Sequence, residues 1–140
     1  MMPSFENLVR LLTADPAASD VELAFRLGCK RALVANARAS LGMPPRPLPP
    51  LDGPVSPEVR VMIGAVLQNG GHRRWVGRRT RDGVPLLDAH TTVNRVAFRL
   101  AHGRAPEGTV RVGCVIKHCV EGLHLTDRII REAARAGAAA

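Results

Sequence analysis

The stretch "RVGCVIKHCVEGLHL", residues 111–125, carries two cysteines and a histidine at equal intervals. Four residues separate Cys114 from Cys119, and four more separate Cys119 from His124. Thiol and imidazole ligands at such spacings are typical of tetrahedral zinc sites. The stretch therefore predicts a small fold organised around a metal ion, with one further ligand elsewhere in the chain.

A closed tetrahedral site needs a fourth protein ligand, and a zinc ion with four protein ligands is structural because catalytic zinc keeps an open position. His118 is adjacent to Cys119 and would form an awkward chelate, whereas Cys29 occupies a turn between helices and is expected in a core. Spacing alone does not decide which of five residues is the fourth ligand: His72, His90, His102, His118 or Cys29. The competing interpretation is that Cys114 and Cys119 are buried apolar side chains.

The composition favours a polyanionic partner. The chain has 20 Lys and Arg against 12 Asp and Glu, a net charge of +8 at pH 7. Such a surplus is typical of nucleic-acid-binding proteins, although a GC-rich genome also raises the arginine content. An odd number of cysteines, no apolar leader and no apolar run of about 18 residues argue against secreted and membrane classes. We expect a cytoplasmic, nucleoid-associated protein with no membrane partner and no small-molecule substrate.

Residues 1–43 are predicted to form three short helices. The second, "SDVELAFRLG", has Ser19 as N-cap and ends at Gly28, and "KRALVANARASLG" supplies the third. This stretch resembles bacterial helix-turn-helix regulators, whose second motif helix enters the major groove. The resemblance implies DNA contacts from Lys30, Arg31, Asn36 and Arg38. The alternative is a three-helix bundle that contacts protein, with a solvated basic face.

Residues 44–57, "PPRPLPPLDGPVSP", contain seven prolines and predict a stiff linker that holds two modules apart. The second module, residues 58–140, is predicted to start with a helix that runs through residue 69. A hairpin from Trp75 to Leu87 follows, turning at Asp82-Gly83, and then a helix ending at Gly103. A strand leads into the cysteines, and Thr126 is the expected N-cap of a last helix. The predicted fold class is α+β.

Three segments resemble the zinc-containing HNH and His-Cys box nucleases, the ββα-metal superfamily, over about residues 70–137. They are "HRRWVGRRTRDGVPLL", "NRVAFRLAHGRAPEGTVRVGC" and "CVEGLHL". The resemblance implies an HNH-like module stabilised by a bound zinc ion, in which His72 takes the place of the family's upstream cysteine ligand. It implies one structural Zn²⁺ held by His72, Cys114, Cys119 and His124.

The chain departs from this family at both catalytic positions. The general-base histidine of the family falls on Val112, and its Mg²⁺ ligand falls on Ala133. Valine cannot accept a proton, and alanine offers no oxygen to a hard cation. The resemblance therefore implies a degenerate nuclease with no catalytic residue. The alternative is a divergent HNH or homing endonuclease that nicks DNA, with a rearranged site drawn from His118, Asp127 and Glu132.

The arginines that could still bind DNA are Arg73, Arg74, Arg78, Arg79, Arg81 and Arg95. We expect a sequence-specific double-stranded DNA-binding protein and no enzyme. It would be a transcriptional regulator of phage, mobile-element or actinobacterial type whose inactive zinc module adds a second DNA contact. A third hypothesis is an interaction protein whose zinc module binds a protein partner. A homodimer on a palindromic site stays open, as do the target sequence and the direction of regulation.

Overall fold

A computed structural model of the chain describes residues 3–48 and 53–139. In these ranges six helices and two small antiparallel sheets form an α+β structure, which confirms the predicted class. Residues 49–52 of the proline-rich segment lie outside the described residues. No helix in the described ranges is long and apolar enough to cross a membrane.

The first three helices form as predicted. They are α1 (Phe5–Ala14), α2 (Asp20–Leu27) and α3 (Arg31–Ser40). The hydroxyl of Ser19 accepts the backbone N–H of Glu22, and α2 ends at Gly28 in the left-handed region with φ 66°. These helices enclose a first core of Leu8, Leu12, Ala18, Leu23, Ala24, Cys29, Val34 and Ala37.

The next helix, α4 (Pro57–Gly64), is shorter than predicted. It gives way to strand β1 (Ala65–Leu67), which pairs antiparallel with β2 (Arg73–Trp75) across a 3-10 turn at Asn69–Gly71. Pairing with β1 satisfies the backbone groups of β2, which a longer helix would leave unpaired. The prediction of a helix through residue 69 is therefore wrong.

The predicted hairpin from Trp75 to Leu87 forms over residues 78–86, where backbone hydrogen bonds join Arg78 to Leu86 and Thr80 to Val84. The N–H of Gly83 donates to the Thr80 carbonyl, and an isolated bridge joins Arg79 to Pro85. Trp75 pairs upstream with Ala65 instead. Arg79 and Pro85 form a non-hydrogen-bonded pair between these bonds, so the ladder loses nothing by the missing N–H of Pro85.

The remaining elements surround the cysteine loop. Helix α5 (Val93–His102) ends at Gly103, as predicted, and strands β3 (Arg111–Val112) and β4 (Leu125–Thr126) pair antiparallel. The last helix is α6 (Arg128–Ala139). The carboxylate of Asp127 accepts the N–H of Ile130 at 3.0 Å, so Asp127 and not Thr126 caps α6.

A second core joins the two parts of the chain. Phe25, on α2, packs into it and not into the first core. The backbone of Arg46, in the proline-rich segment, also bonds to Asp20 at the start of α2. The parts therefore contact each other, contrary to the expectation that the linker holds them apart. The other members of this core are Val61, Ala65, Trp75, Leu87, Val93, Val96, Ala97, Phe98, Val120 and Leu125.

Candidate metal centre and basic surface

Four side chains meet where the ends of β2, β3 and β4 come together. His72 precedes β2, Cys114 follows β3, and Cys119 and His124 precede β4. Their ligand atoms all lie within 4.8 Å of one another. The structure thus brings together the four residues named from the sequence, and this group could hold a metal ion.

The distances fit a tetrahedral ion. Nδ1 of His72 lies 3.5 Å from Sγ of Cys114 and 3.7 Å from Sγ of Cys119. The Sγ of Cys119 lies 3.7 Å from Nδ1 of His124. Zinc–sulfur and zinc–nitrogen bond lengths at the tetrahedral angle place S and N about 3.6 Å apart. Two thiols and two imidazoles are also a donor set that zinc prefers. A zinc ion therefore fits between these side chains with little rearrangement.

Local backbone bonds shape the ligand loop. The N–H of Cys119 donates to the Ile116 carbonyl, and His118 adopts a left-handed φ of 61° in that tight turn. The N–H of Gly113 donates to the His124 carbonyl at 2.7 Å. These bonds hold both cysteines on the side of the loop that faces the histidines.

The surroundings of Cys119 and His124 favour the neutral forms of these two side chains. Burial raises the pKa of the Cys119 thiol, although backbone N–H groups of Arg73 and Glu121 oppose this. Burial and the nearby His72 lower the pKa of His124, so its imidazole stays neutral over a wider pH range. Metal binding must displace the thiol protons, and its affinity is therefore pH-dependent.

A buried ion pair lies directly behind the ligands. Nε of Arg73 donates to the Glu121 carboxylate at 2.9 Å, and their side chains are only 8% and 1% exposed. The same guanidinium donates to the carbonyls of Ala65, Ala24 and Cys29. The last two carbonyls belong to the end of α2 and the following turn. Arg73 therefore links the metal-ligand region to the first three helices.

Burial raises the pKa of Glu121, and the Arg73 guanidinium opposes that rise. The ion pair survives burial because Arg73 is also satisfied by the three carbonyls. The glycine that follows Glu121 is tightly enclosed, since a Cβ on Gly122 would lie 2.4 Å from Cβ of Ala101 and from the Ala97 carbonyl. The close approach of this turn to α5 fixes the path of the chain between Cys119 and His124.

The other histidines and cysteine considered as fourth ligands lie outside this group. His102 stacks on Phe98 and bonds to the Gly122 carbonyl, and His118 bonds to the Asp82 carbonyl. His90 is exposed. Cys29 is buried in the first core, as expected, and burial raises the pKa of its thiol.

Most of the side chains predicted to bind DNA are exposed. Arg95 is exposed and donates to the carbonyls of Gly108 and Pro106. Arg79 is half-buried and donates to the carbonyls of Gly83 and Trp75. The other exposed side chains of this set are Lys30, Arg31, Asn36, Arg74, Arg78 and Arg81.

Two of the predicted DNA contacts are corrected by the structure. Arg38 is 1% exposed, pairs with the carboxylate of Asp20 and donates to the Ala18 carbonyl. Arg73 is 7% exposed and is committed to Glu121. Neither guanidinium can reach a base or phosphate without breaking a buried ion pair, so both are structural.

The periodicity of the sequence could have predicted that Arg38 and Arg73 are buried. Trp75 faces inward, and two-residue alternation along β2 places Arg73 on the same side and Arg74 outside. Val34 faces the first core, and a residue four positions later on a helix, here Arg38, shares its face. The positive charge concealed this pattern because charged side chains are rarely buried unless they are paired.

The two positions that the resemblance to nucleases assigned to catalysis hold apolar side chains. Val112 is half-buried against the second core, and Ala133 is exposed on α6. Asp127, considered for a rearranged site, accepts bonds from the guanidinium of Arg104 and the N–H of Glu107. Those bonds hold the pKa of Asp127 well below its usual range. Its carboxylate is thus already saturated by structural partners.

Comparison of the chain with protein-family models, with curated proteins and with solved structures found no match.

Proposed function

We propose that this protein is a sequence-specific double-stranded DNA-binding protein acting as a transcriptional regulator, with a structural zinc ion at its His2Cys2 group. The observation that carries the proposal is the exposed polar edge of α3. Lys30 and Arg31 are exposed at its N-terminal end, where a recognition helix contacts bases, and Asn36 is exposed in the middle of the helix. Arg pairs well with guanine, and Asn with adenine.

The first three helices support a helix-turn-helix interpretation. α2 ends at a left-handed Gly28, and α3 begins three residues later at Arg31. The buried pair of Arg38 with Asp20 ties α3 to the start of α2. A recognition helix must be held rigidly on its scaffold, and this pair supplies such a restraint.

The second part of the chain supports a binding role more than a catalytic one. Its four metal ligands leave no open coordination position for water, which is characteristic of structural zinc. Val112 and Ala133 occupy the positions of the nuclease base and Mg²⁺ ligand. Exposed Arg74, Arg78 and Arg81 add positive charge on the same part of the chain. This resembles an HNH-like scaffold retained for DNA contact.

The test is selection of bound duplexes from a random library by the zinc-loaded full chain, followed by affinity measurements on the enriched sequence. We expect a shared motif, and we expect Asn36→Ala to weaken binding by about 1–3 kcal/mol and to relax preference at one position. Arg10→Gln is the control because Arg10 is an exposed side chain on α1 that is not among the proposed reading residues.

Absence of an enriched motif would refute sequence-specific binding. Equal affinities for Asn36→Ala and Arg10→Gln would refute the assignment of α3 as the reading helix. Incubation with supercoiled plasmid and Mg²⁺ or Mn²⁺ tests the catalytic alternative, and protein-dependent nicking that co-purifies with the wild-type chain would overturn the non-enzymatic proposal.

A further inference from the structure

A cationic cleft of about 540 Å³ lies beside the metal centre. None of the described residues that line it is acidic. Its size falls within the ~300–1,000 Å³ of typical ligand clefts. Its lining includes the ligands His72 and Cys119 and the buried Arg73. The other polar side chains that line it are Gln68, Asn69, Arg74, Arg79, Lys117 and His118.

Strand alternation supplies the first cation. Arg73 and Trp75 of β2 are buried, so the intervening Arg74 points away from the core, and it is exposed. Its backbone partner on β1 is Val66, a neutral residue. Arg74 is thus fixed at its backbone while its guanidinium is left for an external ligand.

Arg79 supplies a second cation that is already oriented. It donates to the Gly83 carbonyl at 3.0 Å and to the Trp75 carbonyl at 2.8 Å. A guanidinium has five N–H donors in a fixed plane, so these two bonds orient the group without using all of its donors. A pre-oriented guanidinium loses little conformational entropy when it binds an anion.

Lys117 supplies a third cation from the ligand loop. It is exposed at the tip of the turn that the Cys119 N–H closes onto the Ile116 carbonyl. It lies between Cys114 and Cys119, so a metal bound to both cysteines restrains its position. A zinc ion with two thiolates and two neutral imidazoles carries no net charge and would not repel an anion nearby.

We propose that this cleft binds phosphate oxygens of the DNA backbone through Arg74, Arg79 and Lys117. The inference rests on the proposed function and deepens it, because it identifies a backbone contact separate from base reading by α3. Guanidinium and ammonium groups are the usual partners of phosphate, and the side-chain amides of Gln68 and Asn69 offer further N–H donors. Lys117 carries no role in the metal site or the core.

The experiment measures the affinity of the zinc-loaded full chain for a short labelled duplex of arbitrary sequence over a series of salt concentrations. The variants are Arg74→Gln, Lys117→Gln and the pair combined, and Arg10→Gln is the control. Each lost phosphate contact should reduce the slope of log affinity against log salt by about 0.9, and the double variant by about 1.8. Arg79 is left unchanged because it also holds two backbone carbonyls.

Cleft variants with the same slope as Arg10→Gln would overturn the proposal, provided that metal content and thermal stability match the wild type. If the α3 variants still impair sequence selection in that case, the proposed function stands and only the cleft assignment fails.

A second measurement decides the case in which the wild-type chain binds no duplex, which would refute the proposed function. Pyrophosphate is then titrated into the zinc-loaded full chain while backbone amide resonances are followed. Shifts centred on Gln68, Asn69, Arg74 and Lys117 would assign the cleft to free phosphates and overturn the DNA assignment. Absence of such shifts would overturn phosphate binding altogether.

Discussion

Replacing Arg73 with leucine should destabilise the protein more than any other single arginine substitution on β2 or the following turn. The side chain is buried, its charge is matched by Glu121, and it donates to three backbone carbonyls. It also lies over the ring of Phe25, with 4.9 Å between Cζ and the ring centroid. Leucine would fill part of the volume but satisfy none of these polar groups.

The expected loss follows from what Arg73→Leu leaves behind. The Glu121 carboxylate would stay buried without a counter-charge, and breaking one side of a buried ion pair costs about 3–5 kcal/mol. The Ala24 carbonyl keeps a hydrogen bond from the Cys29 N–H, so losing the bond from Arg73 costs little stability there. The carbonyls of Ala65 and Cys29 would lose a donor, which adds about 1 kcal/mol. We expect a total of about 4–6 kcal/mol.

A double-mutant cycle isolates the pair. Glu121→Leu alone leaves the guanidinium of Arg73 without its counter-charge, so it too should be strongly destabilising. The combined Arg73→Leu/Glu121→Leu variant removes both charges and should be more stable than the sum of the single losses predicts, by about 2 kcal/mol or more. Arg74→Leu is the matched control, because the neighbouring exposed position should change stability by less than about 0.5 kcal/mol.

The assay is urea denaturation of the zinc-loaded chain, with Trp75 fluorescence as the probe. Trp75 is the only tryptophan and is buried in the second core, so its emission reports on this region. Additive losses in the cycle, or an Arg73→Leu loss no larger than that of Arg74→Leu, would refute the reasoning that a buried charge pair joins the two parts of the chain.

Three further predictions concern the turn, the metal ligands and the cap of α6. Gly122→Ala should lower the free energy of unfolding in urea by about 1–3 kcal/mol, because the added Cβ would overlap Ala101. Gly137→Ala is the control, because no atom lies within 4 Å of the added Cβ there. Equal stability of the two variants would contradict the packing argument. Cys119→Ser should lose bound zinc in elemental analysis while Cys29→Ser keeps it, and full retention in the first would refute the ligand assignment. The lowered pKa of Asp127 stabilises the fold above its unfolded pKa of about 3.9, and this contribution is lost as the pH falls through the lower folded pKa. The free energy of unfolding in urea of Asp127→Asn should therefore differ most from that of the wild type above about pH 4, and the two values should converge in acid. A difference that does not depend on pH would contradict this prediction.

Local features of the fold could be predicted from the sequence because their causes are local. The N-cap at Ser19, the left-handed Gly28 and the end of α5 at Gly103 depend on residues within one turn. The ligand spacing from Cys114 to His124 is equally local. His72 is 42 residues away from Cys114 in sequence, and only the family resemblance singled it out among the candidates.

The errors concern partners that are distant in sequence. Arg38 pairs with Asp20, 18 residues away, and Arg73 pairs with Glu121, 48 residues away. Periodicity can place a side chain on a buried face, but it cannot say which opposite charge meets it there. The pairing of β2 with β1 was also not predicted, because an apolar run such as Ala65–Leu67 suits a helix and a strand equally well.

Helix α2 belongs to both cores, since Leu23 and Ala24 face the first and Phe25 faces the second. Arg73, the residue next to the ligand His72, donates to the carbonyl of Ala24 in α2 and to that of Cys29 in the following turn. The stability of α2 therefore depends partly on the metal-ligand region. We expect chelation of the metal to lower the melting temperature of the N-terminal helices as well, so that the proposed reading helix would depend on the zinc supply.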